Sequence, residues 1–130
     1  MRAAFFLAFN ALLSACFNDE TISGYLDGTV SWQLEELDAQ AFTERATLTF
    51  PEKGRIAGQG PCNRFFGRQS APYPWFEASA LAASRMACPA LAEEARFFEA
   101  LQAMGIAEIS GDVLILSDDS GRRMVFSAVR

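Results

Sequence analysis

The stretch "GQGPCNRFFG", residues 58–67, carries the first of two cysteines in the body of the chain. The second follows in "SRMACP", residues 84–89, and a third lies far upstream in "LLSACFN". Three thiols suit an enzyme, a metal site, or a disulfide with one cysteine left for another use. The residues around each cysteine distinguish between these alternatives.

The length and the charge limit the classes of protein to consider. The chain has 130 residues, which is enough for one hydrophobic core and too few for two domains. Its formal net charge is −5, and its 11 basic residues form no run in the sequence. Such a chain lacks the basic stripe that binds nucleic acid, so we exclude nucleic acid as a partner.

The N-terminus has the features of an export signal. Residues 1–15, "MRAAFFLAFNALLSA", contain one arginine, an apolar run and small residues at the end. The run is too short for a membrane-spanning helix, which needs ~20 residues. The segment Leu13-Ser14-Ala15-Cys16 resembles a bacterial lipobox, in which the cysteine receives a diacylglyceryl group and the leader is cut before it. We predict that Cys16 is lipidated; the alternative is an ordinary cleaved signal that leaves Cys16 as a free thiol.

The predicted lipid anchor makes the membrane a partner of the N-terminus. Residues 16–29 are expected to form the lipidated N-terminus and a flexible tether, followed by the folded domain over residues 30–130. Loss of residues 1–15 changes the net charge from −5 to −6, so the acyl chains would be the sole anchor. Phe17 stands where an aspartate tends to retain lipoproteins in the inner membrane, which indicates the outer membrane, facing the periplasm.

Export also determines the expected state of Cys62 and Cys88. In an oxidising compartment an even pair of thiols favours one disulfide, which we predict. A structural zinc site requires about four ligands, and the chain has no histidine to complete the set. A redox pair usually has the C-x-x-C spacing, which is absent from the sequence. We therefore expect no metal and no cofactor.

Hydropathy patterns predict about seven strands and one helix. The segment 89–104 has apolar residues at helical spacing, with Pro89 in the first turn and Gly105 just past the end. Its expected buried face consists of Leu91, Ala95, Phe98 and Leu101, widened by Phe97 and Met104. The strands are expected in "TVSWQLEEL", "ATLTF", "RIAGQG", "NRFFG", "IAEIS", "GDVLILS" and "RRMVFSA", the last two joined by a tight turn. One helix among these strands, without β-α-β alternation, predicts an antiparallel α+β fold.

Several of these motifs, taken together, resemble those of the META domain family. They are Trp32-x-Leu34, Gly58-x-Gly60-x-Cys62-Asn63-Arg64-Phe65-x-Gly67, Ser84-Arg85-Met86-Ala87-Cys88, Glu94 and Phe98 on the helix, and Leu114-x-Leu116. The similarity covers about residues 30–128 and is nearest to the heat-shock-associated envelope lipoproteins of the HslJ type. Pro61 and Ser84 depart from the family's pattern, in which glycine and threonine are commoner.

The resemblance implies an antiparallel sheet curled into a partial barrel, with one helix packed across it. It also implies that "YPWFEASALAASRMAC", residues 73–88, forms a loop and a strand, although its alanines favour a helix. Members of the family are associated with envelope stress, and in some cases with motility or secretion, without a common reaction. The fold is also similar to that of lipid-binding pilot lipoproteins of secretion systems, which is an analogy of fold alone.

The sequence offers no convincing catalytic group. Nucleophilic catalysis usually needs a histidine or lysine base, and the chain has no histidine and a single lysine, Lys53, in a turn. Three pairs of adjacent carboxylates diverge on a strand or a helix and are expected to face solvent. These pairs are Glu35/Glu36, Glu93/Glu94 and Asp118/Asp119. We therefore predict that the protein is not an enzyme.

One candidate binding site lies next to the predicted disulfide. A bridge between the two cysteines would bring Asn63, Arg64 and Arg85 together in a polar patch. The alternative is that Asn63 satisfies a turn, while the arginines form ion pairs or cover apolar surface with their stems.

A second candidate site is aromatic. In "APYPWFEA", the side chains of Tyr73, Trp75 and Phe76 could form an exposed lip for a peptide or a lipid. The alternative is that they belong to the core, where aromatic residues are more often found.

These observations favour a non-catalytic envelope lipoprotein whose domain binds a protein partner or an apolar ligand during stress or assembly. A second hypothesis is an inhibitor of a cell-envelope hydrolase, which would need a rigid protruding loop, with the segment 62–88 as the candidate. A lipid- or peptide-binding, pilot-like lipoprotein is a further alternative, and an enzyme is the least supported.

Overall fold

The computed structural model describes residues 18–130, so the predicted leader, Cys16 and Phe17 lie outside the described residues. The described part begins with a 3₁₀ turn, Ile22–Tyr25, and contains one α-helix, α1, Leu91–Ala103. Its strands are β1 Ser31–Leu37, β2 Gln40–Ala41, β3 Thr47–Thr49, β4 Gly54–Gln59, β5 Arg64–Gln69, β6 Ser79–Ala83, β7 Ile106–Ser110, β8 Val113–Ser117 and β9 Arg123–Val129. No helix among residues 18–130 is long and apolar enough to span a membrane.

All nine strands belong to one antiparallel sheet in the order β6-β5-β4-β3-β1-β9-β8-β7, with the short β2 paired to β1 outside this path. The sheet is not closed into a barrel, because β6 and β7 are its two ends. The segment that leads into β6 instead bonds to β7: Phe76 N donates to Gly105 O at 2.9 Å, and Ala107 N donates to Pro74 O at 2.8 Å. The two ends therefore approach each other, and the predicted antiparallel α+β fold with one helix is confirmed.

β1 lies in the middle of the sheet and explains the loose alternation of its sequence. Trp32 and Leu34 are buried, and Leu34 lies opposite Phe126 on β9. The register with β9 shifts between Leu34 and Glu36, so the next buried side chain is that of Leu37. A strict period of two would have placed the side chain of residue 36 in the core.

Helix α1 packs on the core through the middle of its length. Phe97, Ala100 and Leu101 are fully buried. The ring of Phe97 lies 5.7 Å from that of Phe65 on β5, in an edge-on contact, and 6.5 Å from that of Phe42. Each such aromatic pair contributes about 0.5–1.5 kcal/mol beyond the area that it buries. The helix thus covers the strands that carry the cysteine motif.

The buried face of α1 differs from the predicted one. Leu91 is 46% exposed and Ala95 is exposed, whereas Glu94 is buried together with Phe97 and Leu101. A carboxylate occupies one position of the buried stripe, so apolar periodicity alone indicates a face that is rotated from the true one.

The ends of α1 lie close to their expected positions. The helix begins at Leu91, so Pro89 precedes it and is not part of its first turn. Gly105 follows the last helical residue by two positions, as predicted.

Part of the predicted tether over residues 16–29 is packed against the domain in the structure. Thr21 pairs with Pro72 in an isolated antiparallel bridge, and Ile22 is buried in the core. The ring of Tyr25 lies 4.6 Å from that of Tyr73. The chain is therefore packed on the domain from Thr21 onward, because the apolar side chains within this mostly polar segment find partners that the sequence does not reveal.

The described residues have a hydrophobic core of their own, which includes side chains from Ile22 to Phe126. A core of this size is typical of an independently stable domain of about 110 residues.

Replacing Gly58 by alanine is expected to destabilise the fold. A Cβ at this position would lie 1.9 Å from the carbonyl oxygen of Thr47 and 2.9 Å from the ring of Phe65. We expect a loss of about 2–3 kcal/mol in the free energy of unfolding, measured by urea denaturation. Gly105→Ala is the control, because nothing lies within 4 Å of its Cβ position. Equal stability of the two variants would contradict this account of Gly58.

Candidate functional site

A buried carboxylate, that of Glu94, connects α1 to the cysteine motif. Glu94 is 3% exposed, and both of its oxygens accept hydrogen bonds from N–H groups. Its Oε2 accepts from the backbone N of Cys62 at 2.7 Å and of Asn63 at 2.6 Å. Its Oε1 accepts from Nδ2 of Asn63 at 2.6 Å. Three donors to one carboxylate offset the loss of hydration on burial.

The side chain of Asn63 connects this carboxylate to the segment 84–86. Oδ1 of Asn63 accepts from the backbone N of Met86 at 2.7 Å and from the hydroxyl of Ser84 at 3.0 Å. Its Nδ2 donates to the carbonyl oxygen of Met86 at 3.1 Å as well as to Glu94. Every polar atom of the amide group is thus bonded, and three separate segments of the chain meet at one side chain.

The position of the Glu94 carboxylate requires a glycine at position 60. Its backbone N donates to the carbonyl oxygen of Asn63 at 2.8 Å, which closes the turn before β5. A Cβ on Gly60 would lie 2.7 Å from Oε2 of Glu94. A larger residue would displace the carboxylate from its donors, so the second glycine of the motif gives the carboxylate room.

The disulfide joins the same two segments covalently. Cys62 and Cys88 are bonded, as predicted, with 5.8 Å between their Cα atoms. On the loop-entropy model, a crosslink over 26 positions restricts the unfolded chain by about 3.5 kcal/mol. The disulfide and the hydrogen bonds of Glu94 therefore stabilise the same arrangement of these two segments.

The expectation that Glu93 and Glu94 both face solvent is wrong for Glu94. Glu93 is partly exposed and pairs with Arg96 at 3.2 Å, whereas Glu94 points into the domain. The sequence contains one indication that Glu94 is buried. Glu94 precedes Phe97 by three residues and Leu101 by seven, and this spacing places all three side chains on one helical face.

An open cleft of about 280 Å³ lies above this hydrogen-bonded cluster. Asn63 and Glu94 line its inner part, and Arg85, Met86 and Leu91 line its rim. The rim includes two apolar side chains that do not pack on the core: Met86 is 65% exposed and Leu91 is 46% exposed. The floor is rigid and polar, and the rim is apolar with one arginine.

The structure brings together two of the three residues of the predicted polar patch. Asn63 and Arg85 both line the cleft. Arg64 contributes its carbonyl oxygen to the backbone N of Ser84, at 3.1 Å, while its side chain is on the exposed face of β5, outside the cleft lining. The predicted patch lacked the other residues that line the cleft, which are Ser84, Met86, Ala87, Leu91 and Glu94.

The predicted aromatic lip does not form as a unit. Phe76 is buried in the core, which corrects its prediction as a binding residue, because its N–H bonds to Gly105 and draws it inward. Tyr73 is half-buried against Tyr25, and its hydroxyl accepts from the backbone N of Ile109 at 3.3 Å. Trp75 alone of the three is largely exposed, at 59%.

The hydroxyl and sulfur groups beside the cleft take part in bonds within the domain. The hydroxyl of Ser84 donates to Asn63, and Cys62 and Cys88 are held as a disulfide, so these groups are engaged in structural bonds. Within residues 18–130, no group of three or more histidine, cysteine or acidic side chains is arranged to hold a metal ion. Arg85 forms no ion pair with the described residues.

A second charged cluster, at the far end of α1, is satisfied internally. Arg122 donates to both carboxylate oxygens of Glu99, at 2.7 and 2.9 Å, and to Asp38 at 3.3 Å. These hydrogen bonds from Arg122 hold the pKa of Glu99 below its ordinary value. The cluster connects α1 to the turns that follow β1 and β8, and its arginine is paired with two carboxylates.

The part of the chain that forms this site matches the model of a known protein family. The family model of the META domain matches residues 26–130, which include every residue of the cluster and of the cleft. The chain belongs to the META domain family. The narrower resemblance to HslJ-like lipoproteins stays a prediction. The match begins four residues before the predicted domain boundary, in agreement with the packing of the preceding turn.

Two solved structures have the fold of this META domain. An NMR structure of a protein from Burkholderia xenovorans has a TM-score of 0.65 at 21% sequence identity, covering 83% of this chain and 86% of that one. A second NMR structure has a TM-score of 0.59 at 24% identity, covering 77% of this chain and 89% of that one. At these identities the similarity establishes the fold alone. The search of curated proteins gives no match.

Replacing Glu94 by glutamine is expected to destabilise the META domain. The amide NH₂ of glutamine would face N–H donors that now bond to a carboxylate oxygen, leaving buried donors without acceptors. We expect a loss of about 2–4 kcal/mol in the free energy of unfolding, measured by urea denaturation. Glu93→Gln, one residue away on the exposed face, should change stability by less than about 0.5 kcal/mol. A Glu94→Gln variant as stable as the control would refute the structural role of this carboxylate.

Proposed function

We propose that this protein is a non-catalytic envelope lipoprotein, anchored through Cys16 to the periplasmic face of the outer membrane, that binds a partner at the cleft beside the disulfide. The observation that carries the proposal is the cleft rim, where Met86 and Leu91 remain exposed beside Arg85. Exposed apolar side chains at a concave, rigidly supported surface are typical of a binding site.

The location is supported by two features of the sequence and one of the fold. Residues 1–15 resemble a lipoprotein leader that ends at Cys16. The disulfide between Cys62 and Cys88 is typical of proteins in an oxidising compartment, such as the bacterial periplasm. An exported protein with one cysteine outside its disulfide needs a use for that cysteine, and lipidation provides one.

The composition of the cleft indicates the class of ligand. The rim of Met86 and Leu91 would cover an apolar chain or side chain, and methionine adapts its shape to different ligands. Arg85 would pair with an acidic group at one end of that ligand. We therefore propose an acidic amphipathic ligand, such as a fatty acid or the corresponding part of a peptide.

The alternative of a hydrolase inhibitor has less support from the fold. The segment 62–88, its candidate loop, contains β5 and β6, which are paired to each other in the sheet. The connection between them bonds to β7 through Pro74 and Phe76. Most of this segment is therefore part of the scaffold and not a protruding loop.

Binding at the cleft is tested with a dansyl-labelled fatty acid, whose fluorescence rises in apolar surroundings. We expect residues 18–130 to bind the probe, and Met86→Ser and Arg85→Ser each to weaken binding about fivefold, equivalent to about 1 kcal/mol. Val113→Ser and Arg123→Ser are matched controls, because these exposed residues lie on the hairpin of β8 and β9, away from the cleft. Equal binding by the cleft and control variants would place the ligand elsewhere.

The anchor is tested by the intact mass of the protein purified from envelopes of its own host. We expect a mass that begins at Cys16 and includes acyl chains, with Cys62 and Cys88 alkylated only after reduction. A Cys16→Ser chain is the control and should lack the acyl mass. A retained leader, or thiols that react before reduction, would contradict the proposed location.

A further inference from the structure

The exposed face of β5 carries a row of two arginines and a phenylalanine. Arg64, Phe66 and Arg68 alternate along the strand with inward-facing residues, so their side chains project from the same face of the sheet. Phe66 is 60% exposed, although a phenyl ring of this size is usually covered. The sequence shows only two arginines four residues apart, and the strand places them on either side of an exposed ring.

The neighbouring strand adds a third arginine to this row. Arg55 on β4 lies directly opposite Arg68, and Ala57 lies opposite Phe66, so no bulky side chain of β4 covers the ring. Like charges in directly opposed positions destabilise a sheet. Arg55 pairs with Glu52 at 3.5 Å, but Arg64 and Arg68 form no ion pair within residues 18–130. This face therefore carries two arginines without an anionic partner among the described residues, on a chain whose net charge is −5.

The described chain begins at one end of the same face. Asn18 and Glu20 line a shallow depression together with Lys53 and Ser70. Lys53 immediately precedes β4, and Ser70 immediately follows β5, at the end where Arg55 and Arg68 lie. Cys16 is two residues before Asn18, a distance of at most about 7 Å along an extended chain. An acyl anchor on Cys16 would therefore bring the membrane close to this end of the arginine face.

We propose that the face formed by Arg55, Arg64, Phe66 and Arg68 docks on an anionic phospholipid surface. The arginines would pair with lipid phosphates, and the ring of Phe66 would enter the boundary between headgroups and acyl chains. The choice of a membrane rests on the proposed anchor at Cys16, and the choice of an anionic surface rests on the unpaired arginines. The net charge alone gives the domain no attraction to anionic lipid, and the local group of arginines would supply one, so the acyl chains would not be the sole contact with the membrane. The acyl chains would hold the protein there, and this face would determine its orientation.

The test uses residues 18–130, which contain the whole described core and carry no acyl group. Binding is measured by sedimentation with vesicles of phosphatidylcholine alone and of phosphatidylcholine mixed with phosphatidylglycerol. The test variant is Arg64→Ser/Arg68→Ser, and the control is Arg45→Ser/Arg123→Ser, which removes the same charge from exposed positions on other parts of the surface. Circular dichroism and thermal unfolding confirm that each variant is folded.

We expect the unmodified domain to bind only the vesicles that contain phosphatidylglycerol, and to bind them less as salt increases. Each arginine near an anionic surface strengthens binding about fivefold, so the double variant should bind about 25-fold more weakly than the control. Phe66→Ser should also weaken binding, without a change in its salt dependence, because its contribution is apolar.

Three results would overturn the proposal. They are equal binding to both kinds of vesicle, equal binding by the two double variants, and binding to a polyglutamate peptide without binding to vesicles, which would assign the face to an acidic protein. These results are independent of the proposed function. The variants Arg85→Ser and Met86→Ser test the cleft, and the intact mass tests the anchor, and neither test alters Arg64 or Arg68.

Discussion

The domain depends on a single buried contact, between the carboxylate of Glu94 and the N–H groups at the start of β5. A carboxylate loses most of its hydration when it is buried, and hydrogen bonds must replace that hydration for the fold to be stable. Here three donors from Cys62 and Asn63 supply them. The first turn of α1 is therefore fixed relative to the sheet, and the core beneath Phe97 is closed in one arrangement.

The residues of the motif that resembles the family's lie around this contact and support it. The side chain of Asn63 also accepts a hydrogen bond from the backbone of Met86, in the segment that precedes α1. The disulfide between Cys62 and Cys88 links the same segment covalently to the turn before β5. Position 60 is a glycine because a Cβ there would lie 2.7 Å from an oxygen of the carboxylate. Residues that are far apart in the sequence thus meet one physical requirement: both oxygens of a buried carboxylate must accept hydrogen bonds. The result is a rigid floor for the cleft above it.

The cleft and the first described residue of the chain lie toward opposite ends of β5. The cleft adjoins the start of the strand, where Asn63 precedes it, and Asn18 lies near its end, beside Ser70. Six residues of strand separate these ends, a length of about 17 Å. A domain that rests on a membrane through the arginine face would hold the cleft rim, with Met86 and Leu91, at the end farther from its anchor. The proposed docking and the proposed binding site are therefore compatible in one orientation.

Much of the fold follows from the sequence, because it depends on local patterns. Periodicity predicted the helix and most strands, and the count of cysteines, together with the predicted export signal, predicted the disulfide. Tertiary structure decided which face of α1 is buried, that Phe76 belongs to the core and that Arg55 meets Arg68. Burial of Glu94 depends on donors 31 and 32 residues away in the chain, and the arginine face depends on strand register. Hydropathy measures the cost of removing a side chain from water, and it contains no information about the distant groups that compensate for that cost.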